Sequence, residues 1–175
     1  MCPLRADEAL AEAWRNLAGH LHIEAATRLK DAADSREREL AAAVLQAMQQ
    51  PTTDERLNQV ERRLLALAEG HDDETAAAAL YLAGRLHQVH FNPPDAAKAA
   101  HYYEQLATRA PHSHWAQLGL VKLGLLHLYV LPAPGGPPDR LAAAEALLPR
   151  VTIPTLRRDL FITLARTRIF YEQPL

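Results

Sequence analysis

The sequence predicts an all-α fold, an α/α superhelix of antiparallel helical hairpins, and three observations support this prediction. The 175 residues include 33 alanines and 29 leucines but only ten valines and isoleucines together, and Ala and Leu favour helices whereas β-branched residues favour strands. Apolar residues recur at three-to-four spacing almost everywhere, which is typical of amphipathic helices. Turn-forming residues interrupt that pattern at regular, short intervals, and short links favour antiparallel neighbours in a solenoid.

About eight helices are expected from the apolar runs and the breaks between them. The first run is read as one long helix or as two nearly continuous ones, because only Gly19 interrupts it. The predicted helices cover residues 7–33, 34–49, 52–68, 72–91, 95–109, 113–130, 139–148 and 154–171.

The breaks have individual physical reasons. Thr52 and Glu55 have the spacing of a capping box, in which each side chain satisfies a free amide of the first turn. Gly70 is a typical residue just beyond a helix C-terminus. The segment 131–138 contains four prolines and two glycines, so it is predicted to be a loop.

The chain is expected to form one domain over residues 7–175, preceded by a flexible segment, 1–6. A chain of this length buries roughly 70% of its unfolded surface. The segment 1–6 is either a short flexible terminus or the remnant of a secretory signal or lipoprotein anchor carrying Cys2. The location therefore stays open between the cell envelope (periplasm) and the cytoplasm.

Charge and motifs argue against several functional classes. The net charge is −2 with both signs mixed, so nucleic-acid binding is not expected. No apolar run reaches the ~20 residues of a membrane-spanning helix, and one cysteine cannot form a disulfide by itself. No phosphate loop, zinc-protease motif or nucleophile elbow occurs. The expectation is a non-enzyme without cofactor or metal.

Histidines offer the one metal hypothesis. His87 and His90 lie three residues apart on one predicted helix and so share a face. A third ligand, such as His101, would have to come from the facing helix. Packing or surface roles are the favoured interpretation.

Two windows, 79–84 and 119–124, are similar to each other, and both end in a glycine within a predicted helix. An interior glycine costs about 1 kcal/mol relative to alanine. It is tolerated where a neighbouring helix packs closely, so close helix crossings are expected at both glycines.

The segment between the windows resembles the second helix of a tetratricopeptide repeat. It has a small residue at the helix crossing (Ala99 or Ala100), then Tyr103, Leu106 and a closing Pro111. The resemblance covers residues 74–130, or about one and a half repeats. It implies that the first helix of each hairpin lines a concave, partner-binding face.

The continuation of this segment is similar to the repeats of the bacterial Tol-Pal accessory protein and outer-membrane assembly lipoproteins. In those repeats a proline is followed by a serine, an alanine and a later Leu-Gly pair, here Pro111, Ser113, Ala116 and 123–124. This resemblance implies an envelope location.

By register from Gly84, the resemblance places Tyr81, Arg85 and Gln88 on the concave face. An aromatic ring, a cation and an amide on one helix face suit an extended peptide or a helix of a protein partner. These three residues are the predicted partner-binding site.

The remaining aromatic residues are assigned to the core, with one of the two adjacent tyrosines pointing outward. These residues are Trp14, Trp115, Tyr102 and Tyr103.

Three functional hypotheses follow. The favoured one is a protein-interaction scaffold. The second is a structural or oligomerisation module, a homo-oligomer or a fragment of a longer helical-repeat protein, since no polar capping helix is evident. The third is a helical enzyme or metal-binding protein.

Overall fold

The computed structural model describes residues 3–172, and in that part of the chain it contains nine α-helices, one short 3₁₀-helix and no strand. The all-α prediction is confirmed, with nine helices rather than about eight. The helices are α1 Pro3–Ala18, α2 His22–Asp31, α3 Arg36–Met48, α4 Asp54–Ala68, α5 Glu74–Val89, α6 Ala96–Arg109, α7 His114–Tyr129, α8 Pro137–Glu145 and α9 Pro154–Glu172, with the 3₁₀ turn at Leu148–Arg150.

The first predicted helix is in fact a hairpin. The chain leaves the helical conformation at Gly19 and turns through His20, whose φ of 59° lies in the left-handed region. The helices on either side, α1 and α2, then pack against each other. The expectation of one long helix was wrong, because it took the unbroken apolar spacing as evidence of an unbroken helix. The alternative of two helices is correct, with a turn at 19–21 between them. The predicted flexible segment 1–6 lies partly outside the described residues.

Side chains cap five of the helices. The α3 cap is Ser35 rather than Asp34, and the α4 cap is Thr53 rather than Thr52. Each of the two hydroxyls accepts a hydrogen bond from an amide of the first turn, as expected of N-caps. The N-caps of α5, α6 and α7 are Asp73, Asp95 and Ser113.

The helix α8 begins at Pro137, inside the segment predicted to be a loop. Proline is accepted in the first turn of a helix, where its missing amide would have no partner. The prediction of a loop over 131–138 was therefore wrong for its last two residues.

The helices form a two-layer solenoid. Each helix packs against the next one, and the odd-numbered helices α1, α3, α5, α7 and α9 also contact each other in sequence. The odd-numbered helices therefore make one continuous layer, with the even-numbered helices behind it. Surface clefts of this layer lie between successive odd-numbered helices.

The core runs along the array as three clusters, and α6 joins two of them. Tyr102 packs in the cluster centred on α4 and α5, whereas Tyr103 packs in the cluster formed with α7, α8 and α9. Both tyrosines are buried. The expectation that one would point outward was wrong, because α6 lies between α5 and α7 and has two buried faces.

The interior glycines lie at close helix crossings, as predicted. A Cβ at Gly84 of α5 would stand 2.5 Å from the ring of Tyr103 on α6. A Cβ at Gly124 of α7 would stand 2.8 Å from Leu160 on α9. The absence of a side chain at both positions lets the neighbouring helix approach.

Candidate functional site

A groove of about 300 Å³ opens between α3 and α5, with α4 at its floor. Its walls are mostly aliphatic, so it suits an apolar side chain. Lining residues from these three helices are Ala43, Val44, Ala47, Met48, Val60, Leu64, Tyr81, Leu82, Arg85, Leu86 and His90, and His20 of the α1–α2 turn completes the wall.

Tyr81 forms one end of the groove and is held firmly. It is half-buried, and its ring centroid lies 5.9 Å from that of Tyr103 and 5.3 Å from that of Trp115. Burial raises the pKa of its phenol, although the charge of Arg85 acts in the opposite direction. The ring therefore presents a fixed apolar surface and a neutral hydroxyl.

Arg85 supplies the charge of the groove, and Gln88 orients it. The Nη1 of Arg85 donates a hydrogen bond to Oε1 of Gln88 at 2.8 Å. The same oxygen accepts a hydrogen bond from the hydroxyl of Tyr103, also at 2.8 Å. Of the three residues predicted to bind a partner, Tyr81 and Arg85 line the groove, whereas Gln88 positions the guanidinium and is not part of the lining.

The cations near the groove have no carboxylate partner among the described residues. No carboxylate of the described residues lies within ion-pair distance of Arg85 or of Lys122, which follows on α7. Burial and the charge of Arg85 lower the pKa of Lys122. Partial desolvation at the edge of the groove and the same charge lower the pKa of His90, although its side chain is largely exposed. Arg85 and Lys122 therefore create a positive potential beside an apolar groove, whereas the lowered pKa of His90 favours its neutral form.

Sequence reasoning missed Lys122 and the aliphatic wall of α3. Lys122 interrupts the most apolar stretch of the chain, and that interruption was the available evidence for a special role. The wall of α3 consists of small and aliphatic residues that are indistinguishable from core residues in the sequence.

The histidines of the metal hypothesis lie in different environments. His87 is buried, its Nε2 lies 2.9 Å from Oε1 of Glu61, and its ring stacks on Phe91 at 4.5 Å. His90 and His101 are exposed. Residues 3–172 contain no group of three or more residues able to hold a metal ion, while Cys2 lies outside the described residues. His87 packs in the core, which is the favoured of the two expectations.

Glu61 is the centre of a buried polar cluster that the sequence analysis did not identify. Besides His87, its Oε1 accepts a hydrogen bond from the hydroxyl of Tyr102 at 2.6 Å and pairs with Nζ of Lys98 at 2.8 Å. Burial alone would raise the pKa of Glu61, but these partners outweigh it and hold the pKa below its ordinary value. Glu61 occupies a position of the apolar stripe of α4, with Leu57 and Leu64, and that position is the feature that would have revealed it.

No helix within residues 3–172 combines the length and the hydropathy needed to cross a membrane. The sequence matches no protein-family model, no curated protein and no solved structure. The groove and its charges are therefore the basis for assigning a function.

Proposed function

We propose that this protein is a non-catalytic protein-interaction scaffold, which holds a peptide segment or a helix of a partner protein in the groove between α3 and α5. The observation that carries the proposal is the combination of an aliphatic groove with Arg85, a half-buried cation that no carboxylate of the described residues neutralises.

The chemistry of the groove indicates the chemistry of the partner segment. Its aliphatic wall suits a leucine-like or methionine-like side chain of the partner. Arg85 and Lys122 favour an acidic group next to that side chain, because a partly buried cation gains more from a carboxylate than an exposed one does. The fixed ring of Tyr81 suits a hot-spot contact, because little conformational freedom is lost on binding.

The hairpins are proposed to be of the tetratricopeptide type. The close approach of Tyr103 to Gly84 and the end of α6 before Pro111 support this assignment. In such arrays the first helix of each hairpin lines the concave face, and the odd-numbered layer containing α3 and α5 occupies the corresponding place.

We also propose that the protein is located in the cell envelope. This proposal rests on the spacing of Pro111, Ser113 and Ala116 before Leu123 and Gly124. Here Ser113 caps α7, Ala116 and Leu123 are buried, and Gly124 meets α9. Immunodetection of the protein in fractionated source cells tests it, and recovery in the cytosolic fraction alone overturns it.

The binding proposal is tested by affinity capture from envelope and cytosolic fractions with the wild-type protein and two variants. The double variant Arg85→Ala/Lys122→Ala removes the charge of the groove. Arg62→Ala is the matched control, because Arg62 is an exposed arginine on α4, in the other layer. Circular dichroism first establishes that all three proteins are equally folded.

The proposal is supported if the wild type and Arg62→Ala capture the same partner and the double variant binds it at least about tenfold more weakly. This loss is expected because removing a desolvated charge contact costs more than tenfold in affinity. A partner bound equally by all three proteins overturns the proposed site. Trp115 adds a direct readout, because it packs on Tyr81, and its fluorescence should change when the captured segment is titrated.

A further inference from the structure

Exposed apolar side chains are concentrated on α9. Among the described residues, five of the ten large apolar side chains that are exposed lie on this helix, and they include Phe161 at 58% exposure and Ile169 at 57%. A single exposed apolar residue is ordinary, but a contiguous group marks an interaction surface.

Three of these five side chains, Phe161, Ile162 and Ile169, form a stripe on one side of α9, away from its buried face. The buried residues of α9 are Leu160, Leu164 and Thr167. At 100° per residue, the stripe covers roughly 100° of the helix surface, and its centre falls near Ala165, roughly 130° from the centre of the buried face. We call this stripe the α9 seam, and its residues are Arg158, Phe161, Ile162, Ala165, Ile169 and Glu172.

The α9 seam has the spacing of a helix-pairing surface. Five of its residues, Arg158, Ile162, Ala165, Ile169 and Glu172, follow one another at alternating steps of four and three positions, with Phe161 beside them. The average period of 3.5 keeps two helices in contact along their length. A small residue, Ala165, lies at the middle and permits a close approach of the two helix axes. Ile162 and Ile169 provide the branched aliphatic groups around it.

The seam is also complementary to itself in the antiparallel direction. When a second α9 crosses at Ala165, Phe161 meets Ile169 of the partner subunit. In the same arrangement Arg158 meets Glu172 of the partner subunit, so opposite charges face each other at both ends. A two-fold axis makes each of these contacts twice.

We infer that α9 pairs antiparallel with α9 of a second copy of this chain. The charge order favours this occupant, because a cation at one end and an anion at the other match only a helix of opposite order, which the second copy supplies. Over residues 7–18, α1 does not offer an alternative large apolar surface on the second copy, since its exposed residues are charged or are alanines. This inference is independent of the groove between α3 and α5.

The pairing is expected to be reversible. Stable interfaces bury about 1,200–2,000 Å² in total, and the seam of a single helix lies at or below the lower end of that range. The chain should therefore exchange between monomer and dimer as its concentration changes.

Sedimentation velocity over a concentration series tests the inference. The wild type should change from monomer to dimer, and Phe161→Ser/Ile169→Ser should remain monomeric. The matched control is Ile23→Ser, which removes an apolar side chain of 81% exposure on α2 and should leave the dimer unchanged.

A charge-reversal cycle tests the antiparallel register. Arg158→Glu and Glu172→Arg, each made alone, should weaken the dimer by about tenfold, since each change affects two exposed ion pairs. The two changes together restore opposite charges, so the dimer should return to within about threefold of the wild type.

Each remaining outcome overturns the inference. A wild-type chain that stays monomeric up to about 1 mM, the weak end of ordinary affinities, forms no such pair. A dimer that persists in Phe161→Ser/Ile169→Ser uses another surface. A dimer that the double charge reversal fails to restore has a different register.

Discussion

The helices α6 and α9 both carry apolar residues on two faces, but only α6 has both faces covered. In α6 the adjacent residues Tyr102 and Tyr103 are buried, at 6% and 0% exposure, because α5 and α7 pack on opposite sides. In α9 the residues Leu160 and Leu164 are buried, whereas Phe161 next to Leu160 is 58% exposed. The same kind of sequence is core in one helix and surface in the other.

The difference shows that, in a solenoid, the neighbouring helices determine whether an apolar face of a helix is buried. Each helix buries one face against the previous helix and another against the next one. A helix with two apolar faces therefore predicts two neighbours, and α9 has one uncovered face that meets this description.

The largest predicted effect concerns the covered helix. Tyr103→Ala removes a fully buried ring that packs between Gly84 and Gly119, and it should lower the free energy of unfolding by about 3–5 kcal/mol. Urea denaturation at low protein concentration measures the loss. The control is Phe161→Ala on the exposed face of α9, and an equal loss in both variants would remove the distinction between the two helices.

The next effect concerns the polar cluster that joins α4, α5 and α6. Glu61→Ala leaves His87 and Tyr102 buried without their shared acceptor, so the free energy of unfolding should fall by about 2–4 kcal/mol. Glu61→Gln keeps an acceptor and should lose about half as much. If Glu61→Ala is as stable as the wild type in urea denaturation, the cluster does not hold these helices together.

The same cluster predicts a pH dependence. The pKa of Glu61 is lowered in the folded state from its ordinary value of 4.5, so its stabilising contribution is complete above that value and is lost as the pH falls through the lower folded value. The stability difference between the wild type and Glu61→Gln should be constant above about pH 5.5 and should narrow at lower pH. Denaturation midpoints across this range measure it, and a difference that grows on acidification would contradict the assignment.

The two close helix crossings provide a smaller contrast. Gly84→Ala places its Cβ against the rigid ring of Tyr103 and should destabilise by about 1–3 kcal/mol. Gly124→Ala meets the flexible end of Leu160 at the crossing with α9. Its gain in helix propensity should offset much of the strain, leaving a change within about 1 kcal/mol. Thermal melts of both variants show which one loses more stability. A larger loss in Gly124→Ala would indicate that the α7–α9 contact is the tighter one.

The smallest effect is expected on the exposed face. Ile169→Ser at low protein concentration should change the free energy of unfolding by no more than about 0.5 kcal/mol, because the side chain is 57% exposed. A loss of several kcal/mol in urea denaturation of the monomer would mean that this face is part of the fold.

The sequence was sufficient for the helix class, most of the helix ends and the close crossings, since propensity, capping residues and interior glycines act locally. It was insufficient for features that depend on neighbours along the array. One of the adjacent residues Tyr102 and Tyr103 was expected to point outward, because a single helix offers one apolar face, yet both are buried. Glu61 was not identified from the sequence, although its position between Leu57 and Leu64 on the apolar stripe of α4 indicates burial.

The residues of the candidate groove show the same distinction between local features and features that depend on neighbouring helices. The helix face carrying Tyr81 and Arg85 followed from the repeat register, and both residues line the groove. The role of Gln88 in orienting Arg85 depends on Tyr103, which comes from the next helix. The wall formed by α3 joins the site, and Lys122 comes near Arg85, only because odd-numbered helices lie side by side.

The most direct test of the comparison is hydrogen exchange of the native protein at a low and a high concentration. We expect the amides of α6 to exchange through global unfolding at both concentrations, and those of α9 to be less protected in the monomer. Raising the concentration should then slow exchange selectively in α9. Equal protection of α6 and α9 at low concentration, with no change at high concentration, would contradict the claim that α9 has an uncovered face that a second copy covers.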